Sequence, residues 1–147
     1  RRTNYQKYLA DLAERYGVED KIEFLGSLSA EEMKQAFLDA NVFVLPSTIE
    51  NSPNSLGEAM LLGVPCVAAD VGGVTTMLRH GLEGEAYPST APYMLAFYVE
   101  TIFARGEAAE AMGAAARAHA GVTHNPEKNL ADLLEIYERL AKNSAEG

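Results

Sequence analysis

Short apolar runs and helical patterns alternate along the middle of this chain. Residues 41–45 form a nearly continuous apolar run that ends at Pro46, a helical pattern over residues 54–62 ends at Gly63, and a second apolar run covers residues 65–69. Continuous apolar runs are typical of parallel strands that are covered on both faces. Strand and helix in alternation predict an α/β fold: a Rossmann-like open parallel sheet with right-handed crossovers and helices on both faces.

The other elements extend this pattern. A capping box at residues 29–32 is expected to open a helix, and Gly72-Gly73 is expected to form a turn before a short helix that ends near His80. Further strands are predicted over residues 21–25 and 85–87, and further helices over residues 90–104, 107–119 and 126–141.

One domain is predicted over residues 1–142, followed by a disordered tail over residues 143–147. The chain opens on an amphipathic helix with apolar positions between residues 5 and 16, and Gly17 supplies its stop. A doubly wound unit would place a strand before that helix, and the first residue is Arg1 rather than Met. We therefore expect a longer protein, with a first strand and an N-terminal half upstream.

Composition restricts the class of protein. The 147 residues are 48% hydrophobic, enough for one core, and 12 basic against 21 acidic side chains give a formal net charge of −9. That charge predicts no nucleic-acid partner. Neither a transmembrane segment nor a signal peptide is visible, so a cytoplasmic location is expected, with any membrane association through the missing half. Cys66, the single cysteine, is expected to be a buried small hydrophobe.

A polar segment framed by two glutamates lies between the first apolar run and the next helix. It starts at Glu50, ends at Glu58 and reads ENSPNSLGE. In open α/β sheets the ligand binds beyond the carboxyl ends of the strands, where helix N-termini present free N–H groups to anions. Two carboxylates on either side of a phosphate-sized cradle predict a sugar nucleotide as the ligand.

This segment and its surroundings resemble the family 4 retaining glycosyltransferases of the GT-B fold, which carry two glutamates separated by seven residues. The matching positions are Pro46-Ser47, Glu50, Glu58-Ala59-Met60, residues 63–70 and Gly72-Gly73-Val74, with further similarity at Phe24-Leu25-Gly26 and Ile136-Tyr137. The resemblance implies the C-terminal, donor-binding half of a GT-B fold. It also implies transfer of a hexose-type sugar, without a cofactor, from a UDP-, GDP- or ADP-linked donor to a glycan or lipid acceptor held by the missing half, as in polysaccharide biosynthesis.

The resemblance implies roles for individual residues. Glu58 would accept hydrogen bonds from the ribose hydroxyls, since a carboxylate offers acceptors to two O–H donors. Glu50, the catalytic candidate, would position the transferred sugar and support the positive charge that develops on it. The other donor contacts expected are Ser52, Asn54, Ser55 and Leu56 at the diphosphate, and Gly26 and Ser27 beside the nucleobase.

Simpler interpretations exist for several of these positions. Residues 55–58 also read as a capping box, Glu50 as a solvated loop charge and Gly26 as a turn glycine. The segment between the glutamates also reads as a polar turn from strand to helix. For the whole protein, the alternatives are a sugar-nucleotide-binding module without catalytic use and a nucleotide-sugar epimerase of the same fold.

No metal site is predicted. His80, His119 and His124 are scattered, with no cysteine or carboxylate at ligand spacing, and the sequence has no Asp-x-Asp pair to hold a divalent ion beside phosphates. The charge of the diphosphate is assigned to backbone donors and a helix N-terminus, and, by the resemblance, to an Arg/Lys pair upstream of the chain. The isolated chain is therefore expected to fold without transferring sugar.

Overall fold

The computed structural model describes residues 3–145, which divide into two compact units with the boundary after Met33. The prediction of one domain over residues 1–142 stays a prediction. The first unit contains α1 (Asn4–Tyr16), a 3₁₀ turn (Glu19–Lys21) and the start of α2 (Ala30–Asp39). Gly17, with a φ of 64°, ends α1 as predicted. The predicted capping box is confirmed, since Glu32 Oε2 accepts the Ser29 N–H at 2.8 Å.

The strand predicted over residues 21–25 does not form. Lys21 belongs to the 3₁₀ turn, and the following residues join no strand ladder within the part of the chain that is described. Ile22, Phe24 and Leu25 are each about half exposed. A strand is defined by hydrogen bonds to a neighbouring strand. A run of apolar, β-forming residues without such a neighbour therefore stays irregular.

The second unit, from Lys34 onward, is built on a parallel sheet of three strands in the order β1-β2-β3. The strands are β1 (Phe43–Leu45), β2 (Cys66–Asp70) and β3 (Glu85–Pro88). Val44 lies opposite Val67, and Ala68 lies opposite Ala86. All three strands therefore end at the same edge of the sheet, and the predicted parallel arrangement is confirmed.

Helices cover both faces of this sheet. They are α3 (Asn54–Leu62), α4 (Val74–Met77), α5 (Pro92–Arg105) and α6 (Glu107–Thr123). Helix α7 (Pro126–Ala145) follows them, and its side chains over residues 126–143 are exposed. Cys66 and Ala68 face a core that includes Leu56 of α3, whereas Val67 packs with Ile102 of α5 in a second core. Successive residues of a strand point to opposite faces. The continuous apolar run in β2 thus contributes side chains to two cores. Cys66 is buried as predicted, and burial raises the pKa of its thiol to about 12.

Helix α7 ends later than predicted. It continues to Ala145, so residues 143–145 of the predicted disordered tail are helical, because no proline or glycine interrupts the helix there. Glu146 and Gly147, the rest of that tail, lie outside the described residues. No helix within residues 3–145 is both long enough and apolar enough to cross a membrane.

Glu83 is a fully buried carboxylate that joins the segment before β3 to α6. It accepts hydrogen bonds from the Arg79 backbone N–H at 2.9 Å and from Arg79 Nε at 2.6 Å, and His119 Nδ1 lies 2.8 Å away. Burial raises the pKa of the Glu83 carboxyl, but the hydrogen bonds from Arg79 and His119 lower it by more than burial raises it. The pKa of Glu83 is therefore below its usual value.

Glu85, at the start of β3, is a second buried carboxylate. Its oxygens lie 2.7 Å from Arg105 Nη2 and 3.1 Å from His80 Nδ1. Two of the three histidines therefore have carboxylate neighbours that sequence spacing did not indicate. Within the described residues, however, no group of three or more histidine, cysteine or acidic side chains is arranged to hold a metal ion.

Candidate functional site

Two loops meet at the carboxyl edge of the sheet. The loop after β1, residues 46–53, carries Glu50 and is called the Glu50 loop. The loop after β2 contains Gly72 and Gly73. A Cβ on Gly72 would lie 1.7 Å from the Glu50 carbonyl oxygen, and one on Gly73 would lie 1.9 Å from the Asn51 carbonyl oxygen. Gly72 also has a φ of 54°, which disfavours other residues. The two loops are in backbone contact, and only glycine permits that contact.

The Glu50 side chain is held by its own loop. Ser47 Oγ donates a hydrogen bond of 2.6 Å to Glu50 Oε1, and both residues are half-buried. A hydrogen bond to a carboxylate is among the stronger ones in proteins, so it fixes the direction of the Glu50 carboxylate. Ser47 was not predicted as a site residue, although its place in the matching Pro46-Ser47 pair, three residues before Glu50, is a signal for it.

The N-terminus of α3 supplies backbone donors beside that loop. Pro53 precedes the helix and provides no side-chain cap. The N–H groups of Asn54 and Ser55 have no partner within the helix, as is general for first-turn residues. The N–H groups of Leu56 and Gly57 instead donate to the Pro53 carbonyl, at 3.1 and 3.3 Å. Leu56 thus differs from the other predicted diphosphate contacts, because its N–H is engaged and its side chain is fully buried.

The capping-box interpretation of Glu58 is wrong. That box would require Ser55 before the helix, whereas α3 begins at Asn54 and has no side-chain capping bond. Glu58 is exposed, and its carboxylate makes no hydrogen bond or ion pair with any described residue. The carboxylate is therefore accessible to a ligand at the first turns of α3.

The remaining predicted contacts are exposed. Ser52 is part of the Glu50 loop, and its Oγ lies 3.7 Å from Met77 Sδ of α4. In the first unit, Gly26 has a φ of 71°, which confirms the turn-glycine interpretation. Ser27, next to it, is exposed as well. The nucleobase contact of Gly26 and Ser27 stays a prediction.

The chemistry of the site follows from these groups. The N-terminus of a helix attracts anions through its free N–H groups and the helix dipole. Residues 46–62 contain no lysine or arginine, so an anion bound by this stretch depends on N–H and O–H donors. Two carboxylates beside those donors suit hydroxyl groups rather than phosphates. The arrangement is suited to a ligand that carries both a phosphate and several hydroxyls.

Comparison with known proteins gives a family and a fold. The family described as "Glycosyl transferases group 1" matches residues 2–119. The D-inositol 3-phosphate glycosyltransferase of Geodermatophilus obscurus is 32% identical over 139 residues, which cover 95% of this chain and 30% of that protein.

Solved structures agree with this match. Sucrose-phosphate synthase from Thermosynechococcus elongatus superposes with a TM-score of 0.84 and 26% identity, over 92% of this chain and 34% of that one. HepE of Anabaena, solved in complex with UDP, superposes with a TM-score of 0.80 and 28% identity, over 90% of this chain and 37% of that one. The chain thus spans about a third of the length of these proteins.

Proposed function

The chain belongs to the group 1 glycosyltransferases and has their GT-B type of fold, and from this we propose that it binds the nucleotide-sugar donor of a retaining hexosyltransferase. Within the whole protein, the remaining polypeptide would hold the glycan or lipid acceptor. HepE has been solved with UDP and with UDP-glucose, which supports a nucleotide sugar as the ligand. A cytoplasmic location stays a prediction from the sequence.

The observation that carries this proposal is the contact between the Glu50 loop and Gly72-Gly73, beside the N-terminus of α3. This contact fixes the backbone of the loop that carries Glu50 and leads into α3 at Asn54. A polar turn with no binding role would need neither the glycine contact nor the 2.6 Å bond from Ser47 to Glu50.

The N-terminus of α3 stabilises the negative charge of the diphosphate leaving group. When the bond between the anomeric carbon and the diphosphate oxygen breaks, its electron pair stays on the diphosphate. The N–H groups of Asn54 and Ser55, their side chains and Ser52 donate to that growing negative charge, and the helix dipole has the favourable sign. These donors need no metal ion, so we propose that the reaction uses none and no cofactor.

Glu50 acts on the other half of the breaking bond. The sugar ring gains positive charge as the diphosphate leaves, and a carboxylate held in a fixed direction stabilises that charge. Its free oxygen also accepts hydrogen bonds from the sugar hydroxyls. In a retaining transfer the acceptor oxygen then forms its bond on the same face of the sugar, and the proton of the acceptor hydroxyl passes to the departing diphosphate oxygen. Glu58, exposed on α3, accepts hydrogen bonds from the ribose hydroxyls of the nucleotide.

Product analysis by NMR on the full-length protein tests this function. We expect sugar from a UDP-, GDP- or ADP-linked hexose to appear on an acceptor with its anomeric configuration unchanged, and the 147-residue chain alone to give no turnover. An epimerised sugar without transfer would identify the epimerase alternative. Binding without any reaction of the full-length protein would identify the non-catalytic module, and an inverted product would contradict the retaining mechanism.

A further inference from the structure

Gly57, in the second turn of α3, lies directly under the imidazole ring of His124. A Cβ on Gly57 would be 2.5 Å from His124 Nε2, and 3.1 and 3.2 Å from the two neighbouring ring carbons. The ring therefore occupies the space that any side chain at position 57 would fill. The position is three residues after Asn54, the first residue of the helix.

The α3 and α6 helices also approach each other closely at a second place. At the other end of α3, a Cβ on Gly113 would be 2.1 Å from the Gly63 carbonyl oxygen. Between the two contacts, Met60 and the small residues Ala116 and Ala120 are completely or almost completely buried. The Gly63 end is a backbone contact, whereas the end nearer the N-terminus of α3 depends on one side chain.

His124 is exposed, and contacts of its backbone and of its ring hold it in place. Its backbone N–H donates to the Ala120 carbonyl at 2.8 Å, so it closes α6, and its Nδ1 lies 3.0 Å from Thr123 Oγ1. The next residue, Asn125, caps α7 through a 2.9 Å bond from the Lys128 N–H to its side chain. The ring thus has a hydroxyl neighbour at Nδ1, and its Nε2 edge lies against Gly57. This arrangement suits a side chain that places another element.

We propose that His124 is a positioning residue of the donor site, a role that rests on the proposed function. Its ring sets the spacing between the end of α6 and the first turns of α3. That spacing fixes where the N–H groups of Asn54 and Ser55 lie. Because hydrogen bonds weaken steeply with distance and angle, a small displacement of this end of α3 reduces the binding of a diphosphate while the core beneath stays intact.

Coupled substitutions in the full-length protein test this role. Gly57→Ala places a methyl group where the ring lies, so the ring or α3 must move, and His124→Ala removes the ring. In the double variant the new methyl group has room, so it is expected to bind nucleotide better than Gly57→Ala alone. Gly121→Ala is the matched control, because a Cβ there meets nothing within 4 Å. His124→Gln keeps a planar polar side chain and should restore part of the binding that His124→Ala loses.

The measurement is calorimetric titration with UDP, GDP and ADP, carried out well below each variant's unfolding temperature. For the nucleotide that binds most tightly, Gly57→Ala should lower the affinity about tenfold, within the range of coupling between contacting residues. The Gly121→Ala control should bind as the unaltered protein does. A purely structural contact would instead shift the unfolding temperature and leave the affinity of the folded protein unchanged.

Two results would overturn the proposal. If the unaltered protein binds UDP, GDP or ADP and all the Gly57 and His124 variants bind it equally well, His124 is not a positioning residue and the proposed function stands. If the loss of binding free energy in the double variant equals the sum of the losses in the two single variants, the ring and the glycine do not act through their contact. Failure of the unaltered protein to bind any of the three contradicts the proposed function, and this inference with it.

Discussion

The carbonyl oxygen of Glu50 lies so close to Gly72 that position 72 has no room for a side chain. A Cβ there would approach that oxygen to 1.7 Å, far inside any real contact between the two atom types. Glu50 is therefore placed by a contact with the loop that follows a different strand, in addition to the bond from Ser47. Everything proposed for Glu50 depends on this placement.

Gly73→Ala should lower turnover strongly. Its Cβ would meet the Asn51 carbonyl oxygen at 1.9 Å, so the Glu50 loop must move by about 1 Å, a displacement that costs on the order of a hundredfold in rate. Steady-state kinetics on the full-length protein would measure this. Gly81→Ala is the control, since Gly81 has a positive φ of 77° but open space around its Cβ. Equal losses in both variants would mean that general destabilisation, and not the displaced loop, causes the effect.

Ser47→Ala should reduce turnover by about tenfold with little change in nucleotide affinity. The variant loses one hydrogen bond to a charged group, a contribution of about 1.5–3 kcal/mol, and leaves the Glu50 carboxylate free to rotate. Ser47→Thr keeps the hydroxyl and should retain most of the activity. An inactive Ser47→Thr beside an active Ser47→Ala would exclude a role for the hydrogen bond.

The free energy of unfolding should fall in acid because the Glu83 carboxylate becomes protonated. The pKa of the buried Glu83 carboxyl is lowered in the folded protein, so its contribution to the free energy of unfolding is complete above the unfolded pKa, about 4.5, and is lost as pH falls through the folded pKa. Glu83→Gln should lower stability at pH 7 and flatten its dependence on pH below about 4.5. Urea denaturation at several pH values, with the exposed Glu100→Gln as control, would measure both effects. A curve unchanged by Glu83→Gln would contradict the assignment.

Chelation should not abolish transfer. The diphosphate is assigned to backbone and side-chain donors at α3, so treatment of the full-length protein with EDTA should leave its turnover within about twofold of the untreated rate, a difference of about 0.4 kcal/mol in barrier. Loss of activity that manganese restores would show instead that a divalent ion stabilises the charge of the diphosphate leaving group.

The parallel sheet and its helices were predictable from the sequence because their signals are local. The apolar run of β2, the stop at Gly63 and the capping box at Ser29 each depend on neighbouring residues, and the structure has all three. The strand predicted over residues 21–25 failed for the opposite reason. Strand formation depends on a distant partner, and a short run of β-forming residues carries no information about whether one is present.

The candidate site was predictable only in part, for the same physical reason. The glutamates and the start of α3 lie in one continuous segment, so their pattern is visible in the sequence. The contacts that hold them are not. Gly72 meets Glu50 from another loop, and His124 meets Gly57 from the far end of α6. Such contacts are set by the packing of whole elements, which no local pattern in one sequence specifies.

Glu58 is proposed to bind the nucleotide, and Glu50 is proposed to act on the transferred sugar. Calorimetry with the nucleoside diphosphate, beside steady-state kinetics on the full-length protein, distinguishes these two roles. Glu58→Ala should weaken diphosphate binding by about 1–3 kcal/mol, because its hydrogen bonds are made in the ground state too. Glu50→Ala should keep that affinity and lose turnover, since the charge it stabilises appears only as the glycosidic bond breaks.

The exposed Glu100→Ala is the control and should match the unaltered protein in both measurements. The two effects should separate, with diphosphate affinity lost in Glu58→Ala and turnover lost in Glu50→Ala. An equal loss of diphosphate affinity in both variants, or a fully active Glu50→Ala, would contradict these two roles.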